Sequence, residues 1–473
     1  MGPVEAEENR FDLVVIGAGP GGYIGAIRAA QLGLKTALVE KDTALGGTCL
    51  LRGCIPTKAL LQSAALHHTL LQAGEFGFRI GDVQVDFAAV QKRKAGIVDR
   101  LAKGVSFLMK KNEVRVFEGT GKLDGPGRVL VTARSGKGQV LQARNVLLAT
   151  GSEARGLPGI EPDGKRILTS DHVLELETVP RSLVILGAGA VGVEFASIFS
   201  TFGASVTLLE LLPRIVPTED EEVSKELERC FKKRNIAMRT DARVQSAILK
   251  GKGVEVVVVA GNGGKTETLA SDLLLLGVGR RPKSDGLGLE KTKVLVEKGY
   301  VRVDASFRTD EPSVWAVGDL VGRAPLAHVA SHEAVVAVET MAGGKPHPID
   351  YDRVPWCTYC EPEVARVGLT EKQARERGLA VQCGKFPFGA LARAQILGET
   401  EGFVKMVTEE KYGEVLGVHI IGPRATELIA EGGAFLRLEA TSEEILASIH
   451  AHPTLSEAMG EAALSVLGRP LNR

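Results

Sequence analysis

Two short apolar runs, each followed by a cluster of glycines, set the pattern of the chain. Phe11–Ile16 (FDLVVI) leads into Gly17-Ala-Gly19-Pro-Gly21-Gly22, then a helix-compatible stretch to Leu32, then Lys35–Val39 (KTALV), which ends at Glu40. Ser182–Leu186 (SLVIL) leads into Gly187-Ala-Gly189-Ala-Val-Gly192, a helix-compatible stretch to Phe202, and Ser205–Leu209, which ends at Glu210. An unbroken apolar run of this length between turn signals predicts a strand buried on both faces. Both units read as strand–helix–strand in one register. The acid falls 23 positions after the first glycine in each (Gly17 to Glu40, Gly187 to Glu210).

Val146–Gly151 (VLLATG) and Leu273–Gly279 (LLLLGVG) read as buried strands ending in glycine, one closing each unit. Leu141–Thr150 and Ser313–Asp319 (SVWAVGD) read as strands feeding ligand loops. After Asp350 the pattern changes to alternating strands at Glu363–Gly368, Gly402–Thr408 and Glu414–Ile421, followed by helices near Ala425–Leu438 and Ser442–Ile449. The boundary falls near His347–Pro355. The predicted fold class is α/β, with two Rossmann-like dinucleotide-binding domains and an α+β C-terminal domain.

Composition narrows the partners. At about 150 residues per domain, 473 residues suggest about three domains. Lys+Arg and Asp+Glu are both 58, which leaves no basic footprint for nucleic acid and no polybasic membrane signal. Mean hydropathy is only +0.07, and no apolar run approaches the roughly 18 residues of a spanning helix. The N-terminal MGPVEAEENR is acidic, without the apolar core of a signal peptide or the Arg/Ser pattern of a transit peptide. A cytoplasmic location is expected, or an organelle matrix for a processed form.

Each glycine unit has the chemistry of a dinucleotide cradle. The first glycine allows a tight strand-to-helix turn, the second lets the backbone approach a pyrophosphate, and the third permits close helix–strand packing. The helix N-terminus offers N–H groups to the phosphates, and the acid accepts hydrogen bonds from a ribose diol. A lone glycine motif is weak evidence; two copies with strand, helix and acid in place are strong. Glu210 would also repel a 2′-phosphate, and Leu211-Leu212 stand where an NADP enzyme would want arginine. NAD is the expected nicotinamide, with Arg214 as the nearby residue that could argue otherwise.

Six cysteines are too few for a secreted scaffold, so spacing matters more than number. Gly46-Gly-Thr-Cys49-Leu-Leu-Arg-Gly-Cys54-Ile-Pro-Thr-Lys58 follows directly on the first cradle, with a helix-favouring run over Lys58–Ala65. Residues five apart on an ideal helix stand about 140° apart. Joining the two sulfurs therefore requires a distorted turn, which Gly53 could permit. A helix N-terminus lowers a thiol pKa and favours thiolate. Two inert core cysteines would fit C-x4-C equally well; the place beside a dinucleotide site favours a redox pair. Cys357-x-x-Cys360 lies in strand-like sequence, and with Cys230 and Cys383 it reads as structural. Near the C-terminus His450-Ala-His452-Pro-Thr-Leu-Ser-Glu457 offers a histidine and a carboxylate, the usual device for a base near neutral pH. The alternatives are a helix cap at Thr454 or Ser456 and a metal pair, which has no third ligand at suitable spacing. No metal site is expected.

Taken together, GGTC-x4-C-IP-x-K after GxGPGG, the central GxGxxG, AVGD, and HPT-x-SE resemble the pyridine nucleotide–disulfide oxidoreductases nearly end to end. HAHPTLSE, Glu210 and CIPTKALL look most like the dihydrolipoamide dehydrogenase branch. Leu51-Arg52 departs from it, since relatives usually carry Asn-Val there. The resemblance implies FAD in the first cradle (Gly17, Gly19, Gly22, Glu40). Thr48, Lys58, Gly121, Thr150 and Gly151 would line that site, with Asp319 on the ribityl chain and Leu326, Ala327 and His328 beside it. It implies NAD in the second cradle, at Gly187, Gly189, Gly192, Glu210 and Gly279. Cys49 and Cys54 would form the redox disulfide, Glu194 would pair with Lys58, and His452 with Glu457 would serve the partner subunit of a homodimer. The domains would be 1–151 for FAD, 152–280 for NAD, 281–350 completing the FAD site, and 351–473 for dimerisation. The expected substrate is a lipoylated protein: the acyltransferase of a 2-oxo acid dehydrogenase complex, or the glycine cleavage carrier. A glutathione-reductase-like enzyme would want arginines after Glu210. A flavin-bearing scaffold subunit would leave His452 and Glu457 unexplained.

Overall fold

The computed structural model describes residues 9–261 and 263–472, so the acidic stretch at positions 1–8 lies outside the described residues. The chain divides into two compact units. The first comprises residues 9–59, 89–155 and 280–349, and the second residues 60–88, 156–279 and 350–472.

The first unit grows from the apolar runs. β1 (Arg10–Ile16), α1 (Pro20–Gln31) and β2 (Thr36–Glu40) form the first strand–helix–strand, and β2 is buried along its whole length. Short α2 (Gly47–Arg52) and long α3 (Cys54–Leu71) follow. α4 (Phe87–Lys111) leads into β3 (Arg115–Glu118), β4 (Thr120–Leu123), β5 (Arg128–Thr132) and β6 (Gly138–Leu148). The seven-stranded sheet has the order β3-β2-β1-β6-β5-β4, with Val314–Ala316 added against β6. β1 runs parallel to β2 and β6, pairing Ile16 with Val39 and with Leu148, and Ala316 also pairs with Leu148. These carboxyl ends line one edge, where a doubly wound sheet binds ligands. Glu40 ends β2 at this edge, and Gly17, Thr150, Gly151 and Asp319 lie just beyond it.

The second unit repeats the scheme. β7 (Ser182–Leu186), α5 (Ala190–Thr201) and β8 (Ser205–Leu209) form the second strand–helix–strand. α6 (Glu221–Lys233) follows, and β9 (Leu273–Leu276) pairs with β7. Strands Ala242–Lys250, Gly253–Ala260 and Thr266–Ser271 form an antiparallel meander whose middle strand buries Val254, Val256 and Val258 on one face. This period-2 pattern is the mark of a half-buried strand. β10 (Trp356–Thr358), β11 (Glu363–Gly368), β12 (Val381–Pro387), β13 (Phe403–Glu409) and β14 (Val415–Gly422) build a separate five-stranded sheet in the order β10-β11-β14-β13-β12. α7 (Ala425–Arg437), α8 (Ser442–Ala447) and α9 (Glu457–Val466) share its core, in which Phe386, Phe388, Met406 and Met459 are fully buried.

Two sequence readings change. The cysteines do not open a single helix: Cys49 lies inside α2 and Cys54 begins α3, with the break at Gly53. A Cβ there would press on the Thr48 carbonyl at 2.9 Å, so glycine lets the two turns meet closely. Cys383 is exposed on β12 rather than placed in the core, whereas Cys230 and Cys360 are buried.

Candidate active site

Both cradles have the shape that a dinucleotide needs. Gly17 has φ +101°, and a Cβ on it would lie 2.5 Å from the Ala149 carbonyl oxygen. A Cβ on Gly22 would lie 1.8 Å from the Gly17 oxygen, so only glycine fits where helix meets strand. Gly19 is the N-cap of α1, and no side chain caps that end, which leaves its N–H groups for an anion. The buried Glu40 carboxylate accepts from Ala18 N–H at 2.6 Å and Asp42 N–H at 2.8 Å. A Cβ on Gly121 would press on Val39 and Ile16, which places this glycine against the same strand ends.

The second cradle repeats each of these features. Gly187 has φ +99°, a Cβ on Gly192 would lie 1.9 Å from the Gly187 oxygen, and Gly189 caps α5 without a side-chain bond. Glu210 accepts from Ala188 N–H at 2.7 Å and Leu212 N–H at 3.0 Å. Gly279, at φ +102°, has open space where its Cβ would be. Arg214 is committed to its own loop, one terminal nitrogen on Glu221 at 2.8 Å and the other on the Pro217 carbonyl at 2.9 Å. That engagement removes the sequence argument for a 2′-phosphate ligand.

Cys49 and Cys54 come together as a hydrogen-bonded thiol pair. Bonding to Cys54, then burial, push the Cys49 thiol far up, against the pull of the Lys58 ammonium toward thiolate. The helix-terminus effect expected from the sequence is thus outweighed while both sulfurs carry protons. Thr48 stands one residue before Cys49 on α2, and Lys58 on the second turn of α3. An apolar cavity of about 500 Å³ opens onto Cys49 and not Cys54, lined by Tyr23, Leu50, Ile55, Leu101 and Leu108. Burial, then the neighbouring Cys49, raise the Tyr23 phenol.

Just beyond the sheet edge, Thr150 donates its hydroxyl to the Lys283 carbonyl at 2.8 Å, and Lys283 N–H returns a bond to the Gly151 carbonyl at 2.9 Å. Ser152 donates to Asp319 and accepts from Arg280 Nε at 2.7 Å. Arg280 and Ser152 belong to none of the motifs read from the sequence; the RRP run after LLLLGVG is the available signal. Leu326 caps the helix Ala327–Met341, on whose first turn His328 stands. Fully buried Glu333 of that helix accepts the Gly318 N–H at 2.6 Å, fixing the turn that presents Asp319.

In the second unit Glu194 is buried on α5 and accepts the Tyr359 N–H at 2.9 Å. His452 Nδ1 meets Glu457 Oε1 at 2.9 Å, and the other Glu457 oxygen accepts the Thr454 N–H at 2.8 Å. Burial pushes the Glu457 carboxyl up, but Thr454 and His452 outweigh it and hold the group below the usual range. The His452 side chain is 72% exposed, so this dyad presents its free edge outward. Ser456 is the N-cap of α9 but makes no side-chain cap. His450, which the sequence offered only as half of a metal pair, instead meets Glu431 on α7 at 2.7 Å. Among the described residues no group of three or more His, Cys, Asp or Glu could hold a metal, and no helix is long and apolar enough to cross a membrane.

Comparison with known proteins agrees with this geometry. Residues 11–334 match the family of pyridine nucleotide-disulphide oxidoreductases, and residues 354–463 match that family's dimerisation domain. A dihydrolipoyl dehydrogenase of Bacillus subtilis is 46% identical over 470 residues, covering 98% of this chain and 99% of the relative. One from Zymomonas mobilis is 42% identical, covering 98% and 99%. The solved structure of LpdA from Mycobacterium tuberculosis superposes with a TM-score of 0.89 at 29% identity, covering 96% of this chain and 99% of that one. With duplicated cradles, a paired dithiol and both family profiles in place, the chain belongs to the pyridine nucleotide–disulphide oxidoreductases.

Proposed function

We propose that the chain is an NAD-dependent flavoprotein that oxidises protein-bound dihydrolipoamide, the activity named for its relatives. One observation carries the reading: the Cys49–Cys54 pair lies at an apolar cavity beside the first of two glycine cradles. The first cradle takes FAD, with Thr48, Lys58, Gly121, Thr150, Gly151, Asp319 and Leu326–His328 around it. The second takes NAD through Gly187, Gly189, Gly192, Glu210 and Gly279, and its carboxylate disfavours NADP.

The chain's own residues do the thiol chemistry. In the oxidised enzyme Cys49 and Cys54 are joined. His452, held by Glu457, takes a proton from the substrate dithiol, and the resulting thiolate attacks the Cys49 sulfur that faces the cavity. The Cys49–Cys54 bond breaks and Cys54 leaves as a thiolate, favoured by the Lys58 ammonium. The second substrate sulfur then displaces Cys49, and the product leaves as a cyclic disulfide with the enzyme's pair reduced. Bound FAD supplies two-electron transfer between this pair and NAD⁺. Glu194 and Lys58 are the charged residues assigned to the flavin's surroundings.

Residues 351–473 form the dimerisation segment of a homodimer in which His452 and Glu457 serve the partner's pair. Residues 1–151, 152–280 and 281–350 form the FAD, NAD and central segments. The partners are lipoylated acyltransferases of 2-oxo acid dehydrogenase complexes or the glycine cleavage carrier, in the cytoplasm or an organelle matrix. The test is the initial rate of NAD⁺ and NADP⁺ reduction by dihydrolipoamide, with the visible spectrum recorded for flavin. Fast NAD⁺ reduction that Cys49→Ser abolishes while the protein stays yellow is the expected result. A yellow wild-type protein inert to dihydrolipoamide sinks the assignment.

A further inference from the structure

The chain is neutral, with 58 basic and 58 acidic residues, but α4 is not. Its sequence, FAAVQKRKAGIVDRLAKGVSFLMKK, carries seven basic side chains and one acid, Asp99. Asp99 is already paired with Lys103 at 2.7 Å. Positions 93, 97, 100, 101, 104 and 108 recur at helical spacing and lie along one face. The far end of that face lines the Cys49 cavity through Leu101, Gly104 and Leu108. Its near end is an open stretch of α4 surface carrying Lys92, Arg93 and Arg100, and Leu101 belongs to both ends. A charged helix surface thus adjoins the apolar trough that reaches the reactive sulfur.

Two glycines supply a second observation. Gly96 lies in the basic surface and Gly104 lines the apolar cavity, both in the body of α4. Glycine is the poorest helix former after proline. A Cβ at either position would meet no atom within 4 Å, so packing within the chain does not require glycine there. Bare backbone on an exposed helix face leaves room for something from outside the chain to approach closely. Arg93 is braced on the Ala59 carbonyl at 3.2 Å, whereas Lys92 and Arg100 are exposed and hold no ion pair among the described residues.

We infer that this face of α4 is a docking surface for the acidic protein domain that carries the dithiol arm, placing the domain while its arm enters the Cys49 cavity. The inference rests on the proposed dihydrolipoamide reading. The arm is apolar and matches the apolar trough; the charge outside that trough meets whatever bears the arm. Charges at such a rim act mainly on encounter, so their effect is lost as salt rises.

The experiment compares two substrates with one enzyme: neutral free dihydrolipoamide, and a reduced lipoyl domain of net negative charge. Rates of NAD⁺ reduction are taken from about 20 to about 300 mM ionic strength, which spans strong to weak screening. With wild-type enzyme, kcat/KM for the domain should fall at least about 10-fold across that range, while the value for dihydrolipoamide stays within about 2-fold. Lys92→Glu with Arg100→Glu should lower the low-salt value for the domain by about 10- to 100-fold and spare dihydrolipoamide. Equal effects on both substrates, or none on either, overturn the docking surface. So does a matching loss with free dihydrolipoate, which would make the patch a reader of small anions. Conversion of the charge-reversed enzyme to monomer would assign α4 to the subunit interface instead. If the wild type does not oxidise dihydrolipoamide, the functional reading fails first and takes this inference with it.

Discussion

In the first cradle Gly46 donates its N–H to the Ala18 carbonyl at 2.9 Å; in the second, Val216 donates to the Ala188 carbonyl at 2.8 Å. The positions correspond: in each copy the chain leaves the second strand, passes the acid, and returns to bond the same carbonyl. Both returning residues have positive φ, +124° for Gly46 and +39° for Val216. Beyond that bond the two copies diverge. After Gly46 the chain enters α2 and α3 with their cysteine pair, and a Cβ on Gly47 would lie 2.5 Å from Gly19 Cα. After Val216 it reaches Asp220, whose carboxylate caps α6 through Glu222 N–H at 3.0 Å. One scaffold thus occurs twice, and only the loop that packs onto the first cradle carries a cysteine pair. On the proposed function, ligand binding and electron transfer should therefore be separable by mutation.

The sharpest way to break the comparison is to damage each third glycine alone. Gly22→Ala would drive a Cβ to 1.8 Å from the Gly17 oxygen, and Gly192→Ala to 1.9 Å from the Gly187 oxygen. Each clash is with backbone, so the turn must move, at a cost of more than about 3 kcal/mol. Gly22→Ala should yield colourless protein, with the flavin absorption band and all turnover lost. Gly192→Ala should stay yellow and still accept electrons from dihydrolipoamide, while NAD⁺ reduction collapses. If Gly192→Ala also sheds flavin, the cradles are not independent and the assignment of one ligand to each fails.

The outcome of sequence reading varies between the same two regions. β7, β8 and β11 were legible residue for residue, the first two as apolar runs bounded by turn signals and β11 as an alternating strand. The first and third glycines of each cradle were legible because a Cβ on any of them would strike backbone. Other features were legible only in part or not at all. The sequence expects a distorted turn at Gly53 but not its division into α2 and α3, which depends on the close meeting of Gly53 with Thr48. The His450–Glu431 pair joins residues 19 apart in sequence on different elements. The Arg280–Ser152–Asp319 chain links residues up to 167 apart, and sheet topology alone brings them to one edge. α4 was also missed: its apolar positions are sparse among lysines and glycines, so its face carries little core signal.

A milder substitution sharpens the contrast between the two acids. Glu210→Gln removes the charge and leaves one acceptor oxygen where Ala188 N–H and Leu212 N–H each bond a different one, so one of those two bonds is lost. A hydrogen bond to a charged group contributes about 1.5–3 kcal/mol, so KM for NAD⁺ should rise about 10- to 100-fold. NADP⁺ use should improve relative to NAD⁺, because repulsion of a 2′-phosphate is relieved. Flavin content and the rate of reduction by dihydrolipoamide should not change. Steady-state kinetics with both nucleotides, beside a flavin titration, reads all three. An unchanged preference would mean that Leu211-Leu212, not the carboxylate, discriminates.

The smallest effect is expected at Arg52, where the resemblance read from the sequence implies valine. Each returning loop has an arginine paired with an acid: Arg52 with Asp42 in the first copy, Arg214 with Glu221 in the second. Arg52 closes α2, and Asp42 lies just past the acid of the first cradle, so the pair ties the redox helix to the end of β2. Both side chains are partly exposed, and a pair of that kind contributes about 0–1 kcal/mol. The cation that acts on the Cys49 thiol is Lys58. Arg52→Val should therefore lower thermal stability by no more than about 1 kcal/mol, with flavin retained and dihydrolipoamide turnover within about 2-fold. A turnover loss above about 10-fold in yellow, folded protein would give Arg52 a hold on the sulfur chemistry itself. The first returning loop would then differ from the second in its electrostatics as well as in its cysteines.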